Sequence, residues 1–227
     1  MMTDYTLAIE GSTYGGSVAL IRDREIVAER TLVDSGTPSR AGRDEKVLPS
    51  VAECLDEASL SPKDLTRIVC GAGPGSFTSL RVSASVAKGI AVGTGCPLFG
   101  VSSLLLTVSS AGSLSPGVYL SVLPAMRGEW FASQIEVLDS GEMRMNHPTI
   151  IAETDLGVIA HKLDARVVGP SQEVDALPHA RGVARLLDQI VADGPVDIDT
   201  WEPTYGRLAE AQVRWEAAHG RPLGANA

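Results

Sequence analysis

The stretch Gly71-Ala72-Gly73-Pro74-Gly75-Ser76-Phe77-Thr78 gathers small residues where a strand is expected to hand over to a helix. Free backbone N–H groups converge at a helix start, so Gly73, Gly75, Ser76 and Thr78 are candidates for holding an anion. The same composition suits a tight structural turn, and both readings stand. It is not a P-loop, because no Lys follows the last Gly, and Ser76 lacks the Gly-x-Ser-x-Gly setting of a nucleophile elbow. A second candidate is Glu10, which closes a strand and is followed by Gly11-Ser12-Thr13. An acid there can support a metal–water shell, or it can face solvent or cap the turn. Glu is one methylene longer than Asp, and Mg²⁺ is strict about geometry.

Other chemistry finds less footing. His147, His161, His179 and His219 never fall three to five residues apart, so HxxxH and HExxH metal sites are absent from the sequence. Surface or structural roles are expected for all four. No Ser is marked as the activated member of a Ser/His/Asp set. Cys54, Cys70 and Cys96 form no CxxC pair and read as small buried thiols, not as a disulfide framework or zinc site. Neither a metal nor a cofactor is expected.

The elements that must position these residues follow from the apolar pattern. Tyr5–Glu10, Ser17–Ile21 and Glu25–Val33 predict an antiparallel three-strand meander. Ser35–Gly42 reads as a loop. Asp44–Ala58 carries Val47, Leu48, Val51, Ala52, Leu55 and Ala58 at helical spacing, with Pro49 predicting a kink or a later start. Ser61–Asp64 reads as a capped turn and Arg67–Gly71 as a buried strand. Ser79–Gly95 is apolar nearly all round, broken only by Arg81, Ser85 and Lys88; such a helix is expected to be sandwiched within its own domain or shared with a partner. Ser103–Ala111 is a further helix. Strands at 118–123 and 129–138, with a third around 142–146, are followed by helices at 154–161 and 180–192 and a strand at 165–168 between them. The order of elements occurs twice, which predicts two lobes: 1–105, 106–206, and a helix-prone tail at 207–227.

Composition narrows the function classes. The chain has 227 residues and a formal net charge of −9, with 44% apolar and 4% aromatic residues. That is a folded α/β protein, not one whose main task is gripping phosphates or stacking bases. Residues 1–10 lack a basic and apolar leader pattern, and the apolar windows fall short of a bilayer span, so a cytoplasmic protein with no membrane association is expected.

Several of these segments together resemble the TsaB (YeaZ) family. They are Leu7–Thr13, Gly16–Leu20, Lys46–Pro49, Gly73–Val82, Ala87–Gly89 and Gly100–Leu104, with a thinner match at Val122–Trp130 and at Pro203, Tyr205 and Arg207. The resemblance implies a two-lobed actin/Hsp70/sugar-kinase-like (ASKHA) fold with a reduced second lobe. It implies a non-catalytic partner subunit in making threonylcarbamoyladenosine beside the tRNA anticodon. Such a subunit docks and activates the TsaD transferase together with the TsaE ATPase, forms a homodimer when alone, and meets tRNA only indirectly or weakly. With the helix compositions, it places the partner contact at Val47, Val51, Cys54, Ser79, Arg81, Ser83 and Ala87. Departures from the family pattern are Glu10 for Asp, Gly11 for Thr, Arg43 for His, and Ser79 and Ser83 for Gly. The rivals are an ATP-binding sugar-kinase-like enzyme and, less favoured, a zinc glycoprotease-like peptidase.

Overall fold

A computed structural model describes residues 3–13, 16–32, 46–112, 114–206 and 218–219. The loop at 35–42, Arg43, the proposed helix start at 44–45 and most of the tail lie outside them. The first sheet has the order β3-β2-β1-β4-β5, from β1 (Tyr5–Glu10), β2 (Ser17–Arg22), β3 (Glu25–Thr31), β4 (Arg67–Gly71) and β5 (Leu98–Val101). The predicted meander is antiparallel, while β4 pairs parallel with both β1 and β5. The second sheet runs β11-β10-β6-β7-β8, from β6 (Gly117–Met126), β7 (Glu129–Val137), β8 (Met143–Met145), β10 (Arg166–Gly169) and β11 (Val174–Asp175), with β9 (Thr149–Ala152) also on β7. The short strands β5, β9 and β11 had no expectation in the sequence, because too few residues alternate in any of them to show a period.

The helices form layers around these sheets. Successive residues of a strand point to opposite faces, and both faces of the first sheet are apolar. Leu7, Ile9, Val18, Leu20, Ile68 and Cys70 face α1 (Val47–Glu57) and α2 (Phe77–Thr94). Ala8, Ala19, Ile21 and Val69 face the opposite way, toward α3 (Ser103–Ser110) and α5 (Val183–Asp193). Tyr119 and Ile135 of the second sheet close that same core from the other side. The sheet's far face, with Leu120, Val122 and Ala132, is covered by α4 (Leu156–Leu163).

Of the two effects expected of Pro49, the later start is the one seen: α1 begins at Val47, which puts Pro49 at its third position, inside the first turn, where its missing N–H costs nothing. Gly95 ends α2 with φ +76, a left-handed cap that glycine adopts without strain. Helices predicted from 154 and 180 begin as single tighter turns, Glu153–Asp155 and Ala180–Gly182, before α4 and α5 proper.

Candidate functional site

The parallel strands β1, β4 and β5 end together at Glu10, Gly71 and Val101, and three turns converge there. Glu10 is fully buried, so the expectation that it faces solvent is corrected; it caps its own turn instead. Its Oε1 accepts the Ser12 N–H at 2.5 Å, and its Oε2 accepts the Ser103 hydroxyl at 3.0 Å. Ser103 Oγ in turn accepts the Gly73 N–H at 3.2 Å. Gly71 is required at the end of β4, since a Cβ there would overlap the Glu10 carboxylate. Burial drives the Glu10 carboxyl above the usual carboxylate range, opposed by the hydrogen bonds from Ser12 and Ser103.

The glycine loop packs onto the Glu10 turn. The Ser76 N–H donates to the Ser12 carbonyl at 2.7 Å, and a Cβ on Gly75 would overlap that same carbonyl. The Gly73–Pro74 peptide is cis, and Gly73 has φ +82. Two of the donors foreseen for an anion are therefore spent inside the chain: Gly73 on Ser103, Ser76 on Ser12. Of the four anion candidates, Gly73 is buried, Gly75 and Ser76 are half-buried, and only Thr78 is exposed. For Gly73 and Ser76 the chain supplies its own acceptors, as a tight structural turn would.

The partner-contact residues divide by face. Val47, Val51 and Cys54 on α1 and Ser83 and Ala87 on α2 are all at most 3% exposed and point into the first lobe's own core. Their placement on a partner surface is corrected. The small side chains of α2 serve close approach within the chain: a Cβ on Gly11 would overlap Ser83 Oγ and reach 3.0 Å from the Ser79 carbonyl. Burial also pushes the Cys54 thiol up to about 11, as expected of an inert core cysteine. Cys70 is buried too, but Cys96 is half-buried, its thiol 2.9 Å from the Leu65 carbonyl.

Arg81 is exposed and Ser79 half-buried, so these two stay on the outer side of α2. Sequence reasoning missed their neighbours Phe77, Thr78, Ser85, Gly89 and Val92, which are exposed on the same helix, and Leu48 on α1. Val92 is 71% exposed and Leu48 57%. The signal was the helical phase: Arg81, Ser85 and Gly89, then Val92, recur at intervals of four and three, which puts them on one stripe. No Asp or Glu occurs anywhere in α2. Beside it, α1 is tied to β3 by Arg30, which reaches Glu53 at 3.1 Å and Glu57 at 2.6 Å.

Among the described residues, no three His, Cys, Asp or Glu side chains come together in a group that could hold a metal ion. Of the histidines, His179 is structural: its Nδ1 accepts the Arg181 N–H at 3.1 Å, and its backbone N–H donates to Ser110 Oγ at the end of α3 at 3.2 Å. No helix among the described residues is long and apolar enough to cross a membrane.

Two mixed sheets sharing a central helical layer, with three turns converging at the ends of β1, β4 and β5, define a two-lobed α/β protein of the ASKHA type. The structure of YeaZ from Pseudomonas aeruginosa has the same fold: the TM-score is 0.72 at 23% identity, over 89% of this chain and 99% of that one. A family model described as "TsaD: tRNA N6-adenosine threonylcarbamoyltransferase" matches residues 28–141, half of the chain. The Bacillus subtilis tRNA threonylcarbamoyladenosine biosynthesis protein TsaB is 27% identical, over 92% of this chain and 96% of its own length. The Escherichia coli protein of the same name is 30% identical over 60% of this chain and 56% of its own length. The chain belongs to the TsaB/YeaZ family, within the group that the TsaD model describes.

Proposed function

We propose that this protein takes part in threonylcarbamoyladenosine biosynthesis on tRNA, in the cytoplasm, as a partner subunit that itself makes and breaks no covalent bond. Its lobes, 1–105 and 106–206, serve as a scaffold. The outer strip of α2, with Leu48 of α1 beside it, docks a TsaD-type transferase and holds it in its working conformation. TsaE joins the same assembly. In the absence of TsaD, the same strip pairs two copies of this chain.

The observation that carries this reading is the outward side of α2. Phe77, Thr78, Arg81, Ser85, Gly89 and Val92 make a surface with one charge and small residues at its centre, on a chain whose net charge is −9. Small central residues let a second helix approach closely, and apolar ends give it something to bury. Burial of roughly 800 Å² on each side is enough for a specific pair. A sugar-kinase reading is less well supported, because the acid at the end of β1 is already committed to Ser12 and Ser103.

The experiment is co-purification of tagged TsaD with Ser85→Trp and Val92→Glu variants. Both are expected to fold and melt as the wild type does and to lose TsaD. Binding at wild-type strength by both variants contradicts the docking strip.

A further inference from the structure

Open α/β sheets take their ligands in the crevice outside the carboxyl ends of the strands. In this chain a segment of its own backbone follows the outer edge of β5 and reaches that crevice at residues 204–206. Residues 194–206 leave α5, in the core shared by the two sheets, and run beside β5, the edge strand of the first sheet. The Val196 N–H donates to the Leu98 carbonyl of β5 at 2.8 Å. Asp197 then stiffens a turn, accepting from the Asp199 N–H at 3.1 Å and the Thr200 hydroxyl at 2.9 Å. Trp201 lies over Gly100, where a Cβ would stand 3.1 Å from its indole nitrogen, and Lys88 Nζ of α2 is 5.9 Å from its ring centre. The Thr204 N–H donates to the Ala72 carbonyl at 2.8 Å, and the Thr204 carbonyl fills the place a Gly73 side chain would take. Tyr205 packs on Phe77 with ring centres 4.5 Å apart. Gly206 fits between Pro74 of the glycine loop and Phe131 of the second sheet, with no room for a Cβ.

We infer that residues 196–206 are an internal clasp, anchored along the edge strand β5 by Val196 and Trp201, whose end at 204–206 fills the crevice beside the glycine loop and locks that loop and the second sheet in one closed arrangement. Contact with the clasp leaves no space for a side chain at Gly73 and little at Gly100, and Gly206 of the clasp has none against Pro74 and Phe131. Glu10 completes the filling from below, by occupying the Ser12 and Ser103 donors that a bound anion would otherwise use. Locked in this way, the chain presents Phe77 and Arg81 at the start of α2 in a fixed position without needing a ligand. The inference stands independently of which partner meets α2.

Hydrogen exchange followed by mass spectrometry on the full chain tests it, comparing wild type with Trp201→Ala and Tyr205→Ala. The peptide covering 71–79 reports the glycine loop, and the peptide covering β2 in the same sheet is the reference. Both variants are expected to speed exchange at 71–79 at least tenfold while β2 stays within twofold. Millimolar ATP with Mg²⁺, or inorganic phosphate, is expected to leave wild-type exchange at 71–79 unchanged. Three results overturn the clasp: no change at 71–79 in either variant, equal acceleration of β2, or slowing of wild-type 71–79 by ATP or phosphate. If Trp201→Ala does not fold, Tyr205→Ala, whose half-buried ring rests on Phe77, decides by the same criteria.

Discussion

Helices α2 and α3 are both free of acidic residues and rich in apolar and small ones, yet they meet different surroundings. α3 lies between the two sheets, and Ser103 through Ser109 are all buried. α2 lies outside the first sheet and buries only Leu80, Ser83, Ala84, Ala87 and Ala91, leaving one stripe uncovered. Apolar composition alone therefore does not identify a partner-facing helix. What identifies a surface is the phase left over after the chain's own layers have taken their share. The small residues of α2 illustrate this: Ser83 and Ala87 are small because the Glu10 turn and the first sheet press against them, whereas Ser85 and Gly89 are small on the side that nothing in the described chain covers.

The largest effect expected from this contrast is on the inward side of α2. Ala87→Trp would force an indole between α2 and the first sheet, where Ala87 has no exposed surface. Overpacking a close-packed core displaces backbone. The variant is expected to lose cooperative unfolding in a circular dichroism melt, and a wild-type melt would show that α2 lies further from the sheet than described. Next comes α3. Leu104→Ala, fully buried between the sheets, is expected to cost about 2–5 kcal/mol in urea unfolding. A loss below about 1 kcal/mol would mean that the central layer is loosely packed.

Titratable groups sharpen the contrast, because they pin both ends of α3. His179, at its far end, is held down to about 4 by burial and then by the neighbouring Arg181; Glu29 faces it from β3. Between that value and the ordinary 6.5, the unfolded chain takes a proton that the folded chain refuses. Stability therefore falls as pH drops through this window, by on the order of 2 kcal/mol for this group. His179→Gln is expected to flatten the fall in melting temperature between pH 7 and pH 4.5. Glu10, at the near end, has the opposite sign. Its carboxyl is raised by burial, so the stability of its neutral form is lost as pH rises from about 4.5 upward. Glu10→Gln is expected to gain on the wild type in melts as pH increases from 4 to 8. A constant difference across that range would mean that Glu10 keeps an ordinary titration.

Much of this architecture was legible in the residues. Apolar runs marked β1 to β4, though not the edge strand β5, and the helical periods placed α1 to α3 and α5 within a few residues. The glycine loop was correctly placed between strand and helix. What stayed hidden was which way each helix turned its faces. Val47, Val51 and Cys54 have the same apolar character whether they meet a sheet or a partner, and only the position of α1 against β2 and β3 decides it. Glu10 shows the same limit: a strand-end acid looks alike whether it is solvated or sealed under Ser12, Gly71 and Ser103. The clasp was the least visible feature, since Val196, Trp201 and Tyr205 follow no period and take their meaning from the glycines opposite them.

The smallest expected effect on stability belongs to the outer stripe, and it carries the central claim. Ser85→Trp changes a side chain that faces away from the core, so its unfolding free energy is expected to stay within about 0.5 kcal/mol of wild type. Isothermal titration of wild type and Ser85→Trp with purified TsaD measures that claim directly. The account predicts saturable binding by the wild type and a loss of at least a hundredfold in affinity for the variant, with identical melting curves. Equal affinity for the two chains would contradict it.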